Sequence, residues 1–411
     1  MREMKNSGFE WIGTIPCHWN LTRIANLYRV RNQKVSDKDF PPLSVTMKGI
    51  VPQLETAAKT NDGDNRKLVR VGDFAINSRS DRRGSCGISA LDGSVSLINT
   101  VLMPLSEMNP RYYNWLFHTV QFADEYYKCG HGIVDDLWTT TWQEMKKIVI
   151  PTPPLDEQKK IADYLDAKCS ELDALVSDIQ AQIETLEQYK RSTVIETVTK
   201  GLNQNAAMKD SGIQWIGKIP ETWDCIRGKY ILNYISKPVK DDDGVITCFR
   251  DGEVTLRSKR REEGFTMADK EIGYQGIDIG DLVVHGMDGF AGAIGISDSR
   301  GKASPVLNVL ETKQNKRYIM YFLRSMAYGD VFLALATGIR VRSCDLRWNK
   351  LAELFYPIPP MEEQADIVNR IDRVIEETNE IIADKKEQIT TLEAYKKSII
   401  FEYVTGKKEV V

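Results

Sequence analysis

Four short stretches of this 411-residue chain carry residue types at spacings that catalysis uses. Thr152-Pro153-Pro154-Leu155 and Ile358-Pro359-Pro360-Met361 look superficially like the Asn/Asp-Pro-Pro-aromatic tetrapeptide that cradles a flipped adenine. Both lack the acid or amide in front and the aromatic ring behind, so neither can hold a base pulled out of its stack. Glu157-Gln158-Lys159 has the Glu-x-Lys of a metal-dependent nuclease, but its counterpart is Glu363-Gln364-Ala365, without the lysine. Gly212 to Lys218 spells most of a phosphate-binding loop. Ile219 stands where Ser or Thr would hold magnesium, Pro220 replaces the start of a helix, and Thr14 occupies the lysine position of the equivalent stretch. His131 and His285 are single and at unmatched positions, and no Ser/His/Asp or Cys/His set recurs. The expectation is a chain that catalyses nothing by itself.

What positions these stretches is a duplication. Pro151 to Lys200 and Pro357 to Gly406 share 20 of 50 positions at a shift of 206, which is too many for coincidence. Lys5 to Asn20 (KNSGFEWIGTIPCHWN) and Lys209 to Asp224 (KDSGIQWIGKIPETWD) share nine of sixteen at a shift of 204. Each half is then a Trp/Gly/Pro opening, a variable body and a proline-marked helix. Trp11 and Trp19, or Trp215 and Trp223, are expected to pin the opening to a core. The expected divisions are a first domain over 1–150, a helix over 151–200, a linker over 201–208, a second domain over 209–356 and a helix over 357–411.

The bodies share landmarks. VGDFAINSR (Val71 to Arg79) matches IGDLVVHGM (Ile279 to Met287), a Gly-Asp turn followed by a buried strand. GISALDGSVS (Gly87 to Ser96) and GISDSRGKAS (Gly295 to Ser304) read as strand, tight turn and returning strand. A helix over Tyr112 to Tyr127 corresponds to one over Arg317 to Phe332, and a final strand runs into the prolines. The fold class is α+β: two mixed α/β domains with β-rich centres, related by a pseudo-two-fold internal repeat. In the long helices, Leu165, Leu172, Val176, Ile179, Ile183 and Leu186 form a coiled-coil seam, as do Ile371, Ile375, Ile382, Ile389 and Leu392. Neither stripe can be buried alone, and the expectation is an antiparallel coiled coil between the two.

Hydrophobic content of 42% and charged content of 27% fit a globular protein, and no apolar run reaches the roughly 18 residues of a membrane span. The start MREMKNSGFEW has no apolar signal core, and the seven cysteines form no Cys-x-x-Cys pair. Reduced thiols, a cytoplasmic setting, no structural zinc and no membrane partner are expected. The net charge of -3 conceals segregation. The first long helix carries nine acids against five bases from Asp156 to Arg191, while Arg79, Arg82 and Arg83, and Arg257, Lys259, Arg260 and Arg261, form basic clusters. Segregated charge of this kind is compatible with a nucleic-acid binder.

The GxxWIGxIPxxW openings, the Gly-Asp strand bodies and the PPLDEQ and PPMEEQ helices, in this order and in duplicate, closely resemble the specificity subunit of type I restriction–modification enzymes. The resemblance covers the whole chain. It implies two target-recognition domains, each reading one half of a bipartite site in double-stranded DNA. The helices would serve as spacer and as docking surfaces for two methyltransferase subunits, with two motor-nuclease subunits completing the restriction complex. S-adenosylmethionine, ATP and magnesium would then belong to those partners, and no cofactor to this chain. Loops that follow buried strands are the candidate DNA contacts: Asn77, Ser78, Arg79, Ser80, Asp81, Arg82 and Arg83 in the first domain. In the second they are Arg250, Asp251, His285, Met287, Asp288, Arg340, Arg342 and Ser343. Arginine can hydrogen-bond guanine twice, and amides or carboxylates can select adenine or cytosine. Two alternatives remain open, a stand-alone methyltransferase or nuclease and a scaffold that binds only protein.

Overall fold

The computed structural model describes residues 2–54, 63–79, 83–105, 108–132, 138–260, 272–335 and 346–410. The chain divides into two compact units, Met1–Ile179 with Lys386–Val411, and Gln180–Lys385. Each unit joins one β-rich body to the beginning of one long helix and the end of the other.

In the first unit, β1 (Tyr28–Val30), β2 (Phe74–Asn77), β3 (Cys86–Ile88) and β4 (Asn99–Pro104) form an antiparallel sheet in the order β3-β2-β4-β1. α1 (Pro110–Phe117) and α2 (Val120–Lys128) follow, then the 46-residue α3 (Leu155–Lys200). The second unit repeats the sheet with β5 (Leu232–Ile235), β6 (Leu282–His285), β7 (Ile294–Ile296) and β8 (Leu307–Thr312), in the order β7-β6-β8-β5. α4 (Lys316–Tyr328) and the 44-residue α5 (Met361–Val404) follow. The Gly-Asp landmark is a turn in both: Gly72 and Gly280 sit at φ +87° and +85°, where a side chain is strained. β2 and most of β6 are buried, which explains their unbroken apolar runs.

Two sequence expectations change. The strand after Asp92 does not fold back on β3. Gly93–Val95 pairs with Arg66–Val69, and likewise Gly301–Ala303 pairs with Gln275–Ile277. Glycine makes this crossing feasible in both halves, because a Cβ would lie 2.5 Å from the Pro41 carbonyl at Gly93 and 2.5 Å from the Gly244 carbonyl at Gly301. The helix over Tyr112 to Tyr127 is also two helices. Thr119 is extended (φ -70°, ψ 145°) and its hydroxyl accepts from Phe122 N–H, so it ends one helix and caps the next. The expected helix over Arg317 to Phe332 breaks later: α4 ends at Tyr328, and Asp330, at φ +56°, separates it from a short helix over Val331–Ala334.

Each core is aromatic. Trp19, Phe74, Tyr112, Phe117 and Phe122 are fully buried in the first unit, and Trp223, Tyr318, Phe322 and Tyr356 in the second. The long helices bury the expected seam, including Leu165, Leu172, Ile179 and Ile183 on α3 and Ile371 and Ile382 on α5. They run antiparallel. In the first unit Tyr164 packs against Tyr403 and Lys396 binds Asp173. In the second, Lys385 donates to Gln182 and Lys190 to Asn379. Numbers rise on α3 as they fall on α5. No described helix is long and apolar enough to cross a membrane.

Candidate nucleic-acid interface

The Glu-Gln pair that imitated a nuclease fragment is a clamp. Val149–Thr152 pairs with Asn20–Arg23, and Phe355–Ile358 with Asp224–Arg227, so the strand entering each helix lies beside the strand leaving each opening motif. Pro151 and Pro357 are tolerated there because these are two-stranded edges. In the helical first turn, Glu157 accepts from Trp19 Nε1 at 3.1 Å, and Glu363 accepts from Trp223 Nε1 at 3.0 Å. Burial pushes the Glu157 carboxyl up, but His18, Trp19 and Arg2 outweigh it and hold its pKa below the usual range. Gln158 accepts from Asn109 N–H at 2.9 Å and donates to the Pro153 carbonyl at 2.8 Å. Gln364 repeats both bonds, at 2.9 Å each, with Asn315 and Pro359. Asn109 and Asn315 are in turn the N-caps of α1 and α4. The other helix end is fastened too: Tyr112 donates to the Val404 carbonyl at 2.7 Å and Tyr318 to that of Val198 at 3.2 Å.

With the bodies so held, β2 and β6 deliver the candidate loops. Asn77 and Ser78 are buried and serve the turn: Asn77 Oδ1 accepts from Arg79 N–H at 3.0 Å, and the Ser78 hydroxyl donates to the Ile98 carbonyl. Arg79 and Arg83 are exposed. The Arg83 guanidinium lies 3.8 Å from the Tyr127 ring centre and pairs with Asp124 at 3.1 Å. Tyr127 packs against Trp138 at 5.4 Å between centroids. These side chains line a recess with Asn77, Arg79 and Thr140. Ser80, Asp81 and Arg82 lie outside the described residues.

In the second unit the structure joins two loops that are well separated in sequence. Arg250 donates to Asp288 at 3.0 Å, and His285 Nδ1 accepts from the Asp288 and Met287 amides at 2.9 and 3.2 Å. Accepting at Nδ1 leaves the proton on Nε2. Burial pushes the His285 pKa down, so the ring is neutral near pH 7. Met287 stays exposed, and Asp251 is engaged by Arg260 at 3.0 Å. The basic run beginning at Arg257 is largely occupied: Arg260 binds Asp251 and Glu253, Lys259 binds Ser299 and Asp298, and Arg257 donates to Thr247. Arg261, Arg340, Arg342 and Ser343 lie outside the described residues. The sequence reading missed Tyr127, Trp138, Arg324 and Tyr328. Helical periodicity counts such residues as face or core, and nothing local distinguishes a ring that lines a recess.

Two copies of one mixed α/β body, each held by the same Trp–Glu–Gln clamp and each presenting different loop chemistry, define an internally duplicated two-body protein. Residues 18–185 match the type I restriction modification DNA specificity domain. The chain is 25% identical over 423 residues to the type I restriction enzyme MjaVIII specificity subunit of Methanocaldococcus jannaschii, covering 96% of this chain and 94% of that one. It is 27% identical over 287 residues to the putative MjaX specificity subunit of the same organism, covering 65% and 61%. Among solved structures, a chain from work on the assembly and conformational transition of the type I R-M system superposes with a TM-score of 0.69 at 15% identity, covering 96% of this chain and 99% of that one. The HsdS subunit from Thermoanaerobacter tengcongensis gives 0.54 at 14%, covering 98% and 100%. The chain is thus similar to type I restriction enzyme specificity subunits along nearly its whole length, and the family's DNA specificity domain matches within its first half.

Proposed function

We propose that this subunit reads a bipartite site in double-stranded DNA, one half-site per body, and that its paired helices dock two methyltransferase subunits and two motor-nuclease subunits. The observation that carries this reading is the contrast within the repeat. The Trp–Glu and Gln clamp contacts recur in both halves, whereas the loops they support present Arg79 and Arg83 on one side and Arg250, His285, Met287 and Asp288 on the other. Equal scaffolds with unequal base-facing chemistry suit two unlike half-sites. The methyl donor, ATP and magnesium belong to the partners on this reading, in a cytoplasmic complex where this chain supplies recognition and no catalysis. The bodies within 1–150 and 209–356 act as the target-recognition domains, and 151–200 and 357–411 as the assembly helices.

Mixing the chain with its methyltransferase partner and sequencing the methylated sites tests the proposal. One interrupted motif with two dissimilar halves is expected. Methyl transfer by the chain alone would make it an enzyme, and absence of salt-sensitive DNA affinity would leave a protein-only scaffold.

A further inference from the structure

A second recess, contained within the second unit, is formed by α3, α4 and the loop after Cys248. Its lining includes Lys190, Arg191, Arg250, Arg324, Tyr328 and Asp330. Two guanidinium groups from different elements approach one ring: Arg191 Cζ is 5.7 Å and Arg324 Cζ is 5.6 Å from the Tyr328 centroid. Two of the three carboxylates in the lining are engaged, Glu187 by Lys190 at 2.8 Å and Asp251 by Arg260, and the third, Asp330, makes no ion pair among the described residues. Arg324 donates Nη2 to the Asp251 backbone carbonyl at 2.6 Å, which offers no negative charge. Its Nε is buried and meets no acceptor. Arg191 makes no ion pair among the described residues. The fold makes room for this arrangement: Gly252 is at φ +92°, and a Cβ there would collide with the Arg324 guanidinium.

Gathering guanidinium groups while leaving a buried N–H unmatched is unfavourable in the empty protein. It becomes favourable when an anion offsets the gathered positive charge. At the matching positions the first unit has different side chains. When Arg111 is aligned with Arg317, His118 stands for Arg324 and Phe122 for Tyr328, and Lys397 stands for Arg191. Burial lowers the pKa of His118, which packs against Cys86, and Phe122 is part of the core. The recess is therefore not a fixture of the shared architecture.

We propose that Arg191, Arg324 and Tyr328 form a seat for one backbone phosphate of the DNA bound by the second unit, so that an assembly helix touches DNA as well as holding a domain. The planar forks of arginine match phosphate oxygens, and such a contact sets register without reading sequence. The inference rests on the DNA reading proposed above.

The test uses the full chain with its methyltransferase partner, and duplexes carrying the site or single-base changes in either half. Affinities are measured across a salt series for wild type, Arg191→Gln, Arg324→Gln, Arg324→Lys and, as a control in the other unit, Lys397→Gln. Each Gln variant is expected to lower the salt slope by about one and to weaken all duplexes by the same factor. Arg324→Lys should restore part of the slope, and Lys397→Gln should match wild type. Unchanged slopes in both Gln variants, with wild-type affinity still salt-dependent and site-specific, would remove the seat and leave the DNA reading standing. Loss confined to changes at one base would make these arginines sequence readers and overturn the phosphate assignment. A wild-type complex with no salt-dependent affinity would overturn both. Arg191 is exposed, so its variant remains informative if Arg324→Gln misfolds.

Discussion

The two units are alike where they grip their helices and unlike where their loops are exposed. Trp19 and Trp223, Glu157 and Glu363, Gln158 and Gln364, and Asn109 and Asn315 occupy matching places and form matching bonds. A few residues beyond the ends of β2 and β6 the correspondence stops: Arg83 lies on Tyr127 in one unit, and Arg250 pairs with Asp288 in the other. The reason is physical. A buried donor has few substitutes, because leaving its partner unmatched costs about 1–3 kcal/mol. An exposed arginine is held by contacts that water replaces at little cost. The repeat therefore retains its clamp and diversifies its loops.

The equivalence is most severely tested at the buried indoles. Trp19→Ala and Trp223→Ala should each destabilise their own unit by about 3–5 kcal/mol through the cavity left behind. Hydrogen exchange resolved by unit checks this, and a large effect in one unit with little in the other would break the parallel. Next come Gln158→Ala and Gln364→Ala. Each strands a backbone N–H at a helix N-cap and a proline carbonyl, and an equal loss of about 2–4 kcal/mol is expected in urea unfolding.

The contrast between loops is sharpened by Arg83→Ala and Arg250→Ala. If each arginine reads a base, each substitution costs about 1–3 kcal/mol and relaxes only its own half-site. Competition binding against half-site libraries measures that, and relaxation of both halves by one variant would contradict separate reading.

The smallest effect concerns acid. Asp278 is bound by Lys237 and Arg300, which hold its pKa down to about 2. At the matching position the first unit has Arg70, so it lacks this carboxylate. An unfolded aspartate titrates near about 3.9, above the folded value, so the stabilisation is present above about pH 4. It is lost as pH falls towards 2. Because Asp278 is well exposed, Asp278→Asn should cost under about 1 kcal/mol at neutral pH. The urea midpoints of variant and wild type should converge below about pH 4.

Much of the fold was legible because it is encoded locally and encoded twice. The seams from Leu165 and from Ile371 specify helices by period alone, and the duplication required both to have similar surroundings. The Gly72 and Gly280 turns were readable for the same reason, since a positive φ favours one residue type. The return strand at Gly93 was not, because an antiparallel partner is chosen by what lies nearby in space.

The sequence by itself determined the repeat, the helices, the strand landmarks and the exclusion of three catalytic look-alikes. Tertiary structure alone decided what the decoy residues do. Glu157 meets Trp19 across 138 positions and Glu363 meets Trp223 across 140, separations at which no local pattern operates. It likewise brought Arg250 to Asp288 and Arg191 to Tyr328, gathering charges that are scattered in the sequence. Periodicity records which face of an element is buried; only the packed chain records which side chains meet there.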